Sequence, residues 1–192
     1  VYYCQRGNIL EINNLIDQIL SGTHEKFESI VNRYEKPIFS FLTGMGISST
    51  NVEDIAQDVF ISAFQNLSSF DHSKSQFSTW LFTIAKNKAI NYSRKKQLKS
   101  FFGFNNETLD QHCSTDLPFD QIQNTRLKGI IADSLHTLPN NFKTCAVLFF
   151  YSDLNLQEIA EIEKCSVGTV KSRLFRAKEA MKKNLKIERG FL

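Results

Sequence analysis

The chain has 192 residues, 42% of them hydrophobic and 17 of them Phe, which suits one or two small domains with compact cores and argues against a disordered protein. Its 23 Lys and Arg against 20 Asp and Glu leave a formal net charge of +3, too mild to define a partner, so the placement of charge matters more than its total. Cys4, Cys113, Cys145 and Cys165 form no C-x-x-C pair, and no histidine stands at zinc-ligand spacing; reduced thiols in a cytoplasmic protein with no metal or cofactor are expected.

The longest apolar run, Cys145 to Tyr151, falls far short of the roughly 20 residues that span a bilayer. Arg6, Glu11 and Asp17 interrupt the apolar N-terminal stretch. Neither an export signal nor direct membrane insertion is expected.

Apolar residues recur at helical spacing almost throughout, which predicts an all-α protein. In the first segment Ile9, Ile12, Ile16, Ile19 and Leu20 form one stripe. In the second, Phe27, Ile30, Val31, Tyr34, Ile38, Phe41 and Leu42 form another, with Pro37 expected to bend the helix or begin a new turn. A third helix is predicted to open at Thr50, with Glu53 completing a capping box. It buries Val52, Ile55, Ala56, Val59, Ala63, Phe64 and Leu67 and turns Glu53, Asp54, Gln57, Asp58 and Gln65 outward. From the residues alone that outward face is a solvated one.

The fourth helix, from about Ser78, reads FSTWLFTIAKNKAINYSRKK. Trp80, Leu81, Ile84, Ala85 and Ile90 face inward, while Lys86, Asn87, Lys88, Asn91, Arg94, Lys95 and Lys96 load the rest with basic and amide groups. Cations in the last turn follow from the helix dipole; Lys86, Asn87 and Asn91 lie too early for that explanation. From Phe101 to Thr125 the periodicity lapses, Gly103 and Pro118 punctuate, and Glu107, Asp110, Asp116 and Asp120 occur without a Lys or Arg. This predicts two small helical domains, 1–98 and 126–192, joined by a flexible acidic linker, 99–125.

The second domain carries a helix-turn-helix. Leu156, Ile159, Ala160 and Ile162 pack a short first helix, a tight turn falls at Lys164 and Cys165, and Ser166 is placed to cap the second helix. Along that helix Val170, Leu174, Ala177 and Met181 form the buried stripe. Opposite lie Thr169, Ser172, Phe175, Arg176 and Lys183, flanked by Lys171 and Arg173. An exposed Phe among arginines and hydroxyls suits DNA better than water. Arg176 can pair with a guanine edge, Phe175 can touch a thymine methyl, and Lys171 or Ser172 can hold phosphates.

The segments EDIAQDVFISAFQNLSSFD, FSTWLFTIAKNKAINYSRKK and LPNNFKTCAVLFFYSDLNLQEIAEIEKCSVGTVKSRLFRAKEAMKK, in this order and spacing, resemble regions two and four of a bacterial sigma factor. With no region-three domain between them, the chain resembles the extracytoplasmic-function (ECF) group over about Glu25 to Leu98 and Arg126 to Leu185. The resemblance implies that Asp54, Gln57 and Asp58 grip the β′ clamp helices of core RNA polymerase, and that a loop from Asp71 to Gln76 and the fourth helix bind the minus-ten element. There the contacts would be Lys74, Ser75, Gln76, Lys86, Asn87, Asn91 and Arg94, with one base extruded into the loop.

It further implies that Lys171, Ser172, Arg173, Phe175 and Arg176 read the minus-thirty-five element, that the second domain docks on the β flap, and that the linker threads the polymerase cleft and RNA exit channel. An anti-sigma factor is an implied partner. Two departures stand out: Thr83 and Ile84 occupy the place of the housekeeping factors' tryptophan pair, and Glu163-Lys164 replaces the Leu-Gly that many relatives carry before the recognition helix. The alternative is a conventional helix-turn-helix regulator, which would need a strand-containing receiver domain where this chain reads as helical. No phosphate loop, nucleophile pair or metal cluster points to an enzyme.

Overall fold

The computed structural model describes residues 9–101, 125–152 and 154–189, with only the helical backbone at 100, 125–128 and 184–189. Eight α-helices lie along these residues: α1 (Ile9–Leu20), α2 (Phe27–Gly44), α3 (Ser49–Gln65), α4 (Phe77–Phe101), α5 (Thr125–His136), α6 (Asn140–Phe150), α7 (Leu156–Glu163) and α8 (Val167–Arg189). The described residues contain no strand, as the helical periodicity requires. Most of the acidic linker, 102–124, lies outside them.

In the first unit α2, α3 and α4 pack together, with α1 laid against α2. Ile30, Ile38, Phe41, Leu42, Val59, Leu81 and Phe82 are fully buried at its centre. The stripe of α1 is narrower than its sequence suggests: Ile12, Ile16 and Ile19 are buried, whereas Ile9 at the first turn and Leu20 at the last are exposed. Leu20 sits about 100° around the helix from Ile19, just beyond the contact. Helix α2 runs through Pro37 unbroken; Tyr34, Ile38 and Phe41 lie on one buried side, and their packing holds the segment helical across the missing N–H.

Helix α3 begins one residue before the predicted cap. Ser48, extended at φ −64 and ψ 152, is the boundary residue, and Thr50 and Glu53 do not close a capping box. The run Ser48-Ser49-Thr50 offers three successive capping side chains, and the Ser48 hydroxyl accepts from Asn51 Nδ2 at 2.7 Å. On the inner face Phe60, not Phe64, is buried beside Val52, Ala56, Val59 and Ala63. Phe64 lies one position around and packs edge-on against Phe27, centroids 5.0 Å apart.

In the second unit α8 crosses α5, α6 and α7. Cys145, Val147, Leu148, Ile159, Ile162 and Val170 form its dry centre. The two units touch. Helix α4 lies against α7 and α2 against α6. Two glycines permit the approach. A Cβ on Gly44 would stand 2.8 Å from Val147 Cγ1, and one on Gly46, whose φ is +93, would stand 2.2 Å from His136 Cε1. Positive φ and the close imidazole both favour glycine at position 46.

Candidate nucleic-acid interface

The helix-turn-helix is α7, its turn and α8. Asn155 Oδ1 accepts hydrogen bonds from the backbone N–H groups of Gln157 at 2.9 Å and Glu158 at 3.0 Å, while Glu158 Oε2 accepts from Asn155 N at 2.7 Å. This reciprocal capping box starts α7. Its signature, N-x-x-E in NLQE just before the apolar run, is one that the sequence carries but that the stripe of Leu156, Ile159, Ala160 and Ile162 does not reveal. The helix stops at Lys164, which adopts the left-handed conformation, φ 52 and ψ 46, and Cys165 N donates to the Ala160 carbonyl at 3.0 Å. The turn therefore keeps the backbone shape for which glycine is usual, with lysine in place.

Ser166 Oγ then accepts from Thr169 N at 3.1 Å, the cap expected from the sequence. On α8, Val170 and Ala177 are buried and Leu174 and Met181 half-buried, so the predicted stripe faces the core. Lys171, Ser172, Phe175 and Arg176 are exposed together, Phe175 at 67%. The Ser172 hydroxyl donates to the Thr169 carbonyl at 2.9 Å, which leaves its lone pairs facing outward. Arg173 does not join this face: its guanidinium turns inward to Glu163 Oε2 at 2.6 Å. Thr169 is half-buried. Burial, reinforced by the Glu163 charge, pushes the Cys145 thiol up to about 11, so it stays protonated and unreactive at neutral pH.

The loop before α4 is built around Asp71. Its Oδ1 accepts from Ser73 N at 2.9 Å and Ser73 Oγ at 2.6 Å, and its Oδ2 pairs with Lys74 Nζ at 2.9 Å. The Ser73 hydroxyl first, then Lys74, hold this carboxyl well below the usual aspartate range. Phe70 and Phe77 stand at the two ends of the loop with centroids 5.4 Å apart, and Trp80 completes the cluster at 5.5 Å from Phe70 and 5.6 Å from Phe77. Those three rings staple the loop shut at its base. Helical spacing turns Trp80 inward but does not report this clamp, whose signal in the sequence is the aromatic pair bracketing DHSKSQ.

Lys74 and Gln76 are exposed and Ser75 half-buried; Asn87, Asn91 and Arg94 on α4 are exposed. Lys86 is drawn in, donating to the Ile162 carbonyl oxygen of α7, with its side chain 13% exposed. Lys88 pairs with Asp58 across α3 and α4 at 3.7 Å. Thr83 donates to the Thr79 carbonyl at 2.8 Å, and Ile84 is half-buried.

Between α2 and α3 runs an open groove of about 1170 Å³ with an apolar floor that includes Val31, Phe39, Phe60 and Phe64. Glu28, Glu35, Glu53, Asp54 and Gln57 line its rim. Asp54 and Gln57 thus share one surface, whereas Asp58 is exposed beside Lys88.

A helical unit bearing a basic helix and its clamped loop, followed by a helix-turn-helix, is the organisation of sigma-70 factors. Residues 30–99 match the family model Sigma-70 region 2, and residues 128–181 match Sigma-70, region 4. The chain belongs to the ECF RNA polymerase sigma factors. It is 35% identical over 182 residues to the ECF RNA polymerase sigma factor SigW of Bacillus subtilis strain 168, covering 91% of this chain and 97% of that one. With the ECF RNA polymerase sigma-E factor of Haemophilus influenzae Rd the identity is 33% over 178 residues, covering 89% and 93%. Among solved structures, the sigma factor RpoE in complex with the anti-sigma factor NepR from Bartonella quintana shares the fold, with a TM-score of 0.66 and 23% identity over 85% of this chain and 98% of that one.

Proposed function

We propose that this chain binds core RNA polymerase, directs it to promoters through minus-ten and minus-thirty-five elements, and assists melting of the duplex. The observation that carries this reading is the succession of the two sigma-70 regions in one chain with an exposed basic and aromatic face on α8. We assign residues 1–98 to polymerase binding and minus-ten recognition, 126–192 to minus-thirty-five recognition, and 99–125 to a linker through the polymerase cleft.

Lys171, Ser172, Phe175 and Arg176 lie within reach of one groove, so phosphate anchoring and base readout fall to neighbouring side chains. Asn87, Asn91, Arg94 and the loop residues Lys74, Ser75 and Gln76 meet the minus-ten strand. Lys86 and Arg173 belong to the same two sets once their present partners release them. The acidic-rimmed groove suits an amphipathic helix pair with basic flanks, which supports Asp54 and Gln57 as contacts to the β′ clamp helices, with Asp58 at the edge.

Thr83 and Ile84 supply no aromatic wedge, so melting depends on base capture by the loop and tolerates poor minus-ten elements badly. The protein works in the cytoplasm without catalysing a reaction itself, and an anti-sigma factor is a partner by analogy with the Bartonella pair. The test is transcription by purified core polymerase on fragmented genomic DNA with and without the protein. Starts that depend on the chain and share two spaced upstream elements support the reading. Binding of the protein alone to defined duplex sites, with no new starts, would mark a conventional regulator instead.

A further inference from the structure

One carboxylate stands between cations from both DNA-reading helices. Glu163 Oε2 accepts from Arg173 Nη1 of α8 at 2.6 Å, and Glu163 Oε1 lies 3.6 Å from Lys86 Nζ of α4. The Lys86 ammonium also caps α7 from the other unit by donating to the Ile162 carbonyl. Last-turn carbonyls have no partner inside their own helix, and the negative end of the helix dipole favours a cation there. The side chains of Lys86, Glu163 and Arg173 are 13%, 9% and 20% exposed, so salt screens this triad less than it screens a surface pair.

The surroundings have the same effect. The cleft of about 360 Å³ beside the clamped loop is lined on one side by His72, Ser73, Lys74, Ser75 and Gln76 and on the other by Asn155, Gln157, Glu158 and Glu161 of the second unit. The carboxylates of α7 border the approach to the loop, and a lysine already held by a carboxylate and a carbonyl must give them up before it can bind a phosphate. We propose that Glu163 is an intramolecular latch: in the free chain it closes the helix-turn-helix onto the minus-ten surface, holds Lys86 and Arg173 away from DNA, and must let go before a promoter is engaged. This extends the proposed function, on which the DNA roles of Lys86 and Arg173 rest. Closure itself does not depend on those roles.

Small-angle scattering of the full chain, with circular dichroism to check the fold, compares the natural protein with Glu163→Gln and Lys86→Gln. A compact chain of this length has a radius of gyration of ~16 Å, and the latch predicts that both variants expand relative to the natural protein. Equal dimensions for all three overturn it. Expansion of Glu163→Gln alone also overturns it, because the effect would then reside within the helix-turn-helix through Arg173. On a promoter fragment found in the transcription experiment, with the minus-ten non-template strand left single-stranded, Glu163→Gln binds about tenfold more tightly if nine-tenths of the free chain is closed. Expansion without tighter binding overturns the occluding role. Failure of the sigma-factor reading is separate: the natural chain would start no transcription, whatever the scattering shows.

Discussion

Lys164 carries the left-handed backbone at the turn of the helix-turn-helix, φ 52, and a non-glycine residue there costs about 1–2 kcal/mol. Glycine removes that strain but gives the unfolded chain about 0.4–1 kcal/mol of added freedom. Lys164→Gly is therefore expected to stabilise the protein by between nothing and ~1.6 kcal/mol, and Lys164→Val to destabilise it by more than ~1 kcal/mol, both read from urea midpoints at constant slope. Arg176 is argued at the same scale. It is exposed and turned away from the core; under the proposed function it contacts one base edge, and Arg176→Ala should then cost about 1–3 kcal/mol at one position of the minus-thirty-five element and relax preference there. An equal loss across all sequences in a competition assay would instead assign it to a phosphate. The outward direction of Phe175 and Arg176 was legible from helical spacing. That of Arg173 was not, because its partner Glu163 lies in another helix and no local pattern encodes the pairing.

Among the elements, α7 depends most on its start. Eight residues are too few to hold a helix in water by hydrogen bonding alone, so the Asn155 and Glu158 capping box and the packing of Ile159 and Ile162 must carry it. Asn155→Ala is expected to cost about 0.5–2 kcal/mol of stability, measured by chemical denaturation, and, under the proposed function, to weaken minus-thirty-five binding because α8 is positioned through α7. A smaller loss than that would mean packing alone orders the helix. The helices themselves were readable from their stripes, and Ser166 was readable as a cap. At α3 the start moved from Thr50 to the Ser48 boundary, since adjacent Ser and Thr residues compete for the same amides and only the path of the incoming chain chooses among them. The ring cluster of Phe70, Phe77 and Trp80 was legible only as separate apolar positions; closing a loop brings residues from its two ends together, and periodicity within a single helix cannot report that.

For the whole molecule, the contact between the two units is the feature with most consequence. Gly44 ends α2 against Val147 of α6 and Tyr151 just beyond that helix. Alanine there suits the helix better by up to ~1 kcal/mol, yet its Cβ would stand 2.8 Å from a valine methyl whose β-branched side chain has little room to turn. Gly44→Ala should leave the thermal stability of the first unit unchanged or higher while enlarging the radius of gyration of the free chain. Unchanged dimensions would show that the interface absorbs a methyl group. The sequence by itself determined the helices, the two sigma-70 regions, the helix-turn-helix and the basic face of α8, because each rests on neighbours within a few turns or on motif order along the chain. Only the tertiary structure decided that Lys86 and Arg173 face a shared carboxylate instead of solvent, that Asp54 and Gln57 rim a groove, and that α7 shares a cleft with the loop from Asp71 to Gln76. Those depend on surfaces meeting across long stretches of chain, 76 residues between Lys86 and Ile162, where the energy of an ion pair is set by burial and distance, and neither is a property of the residues read one after another.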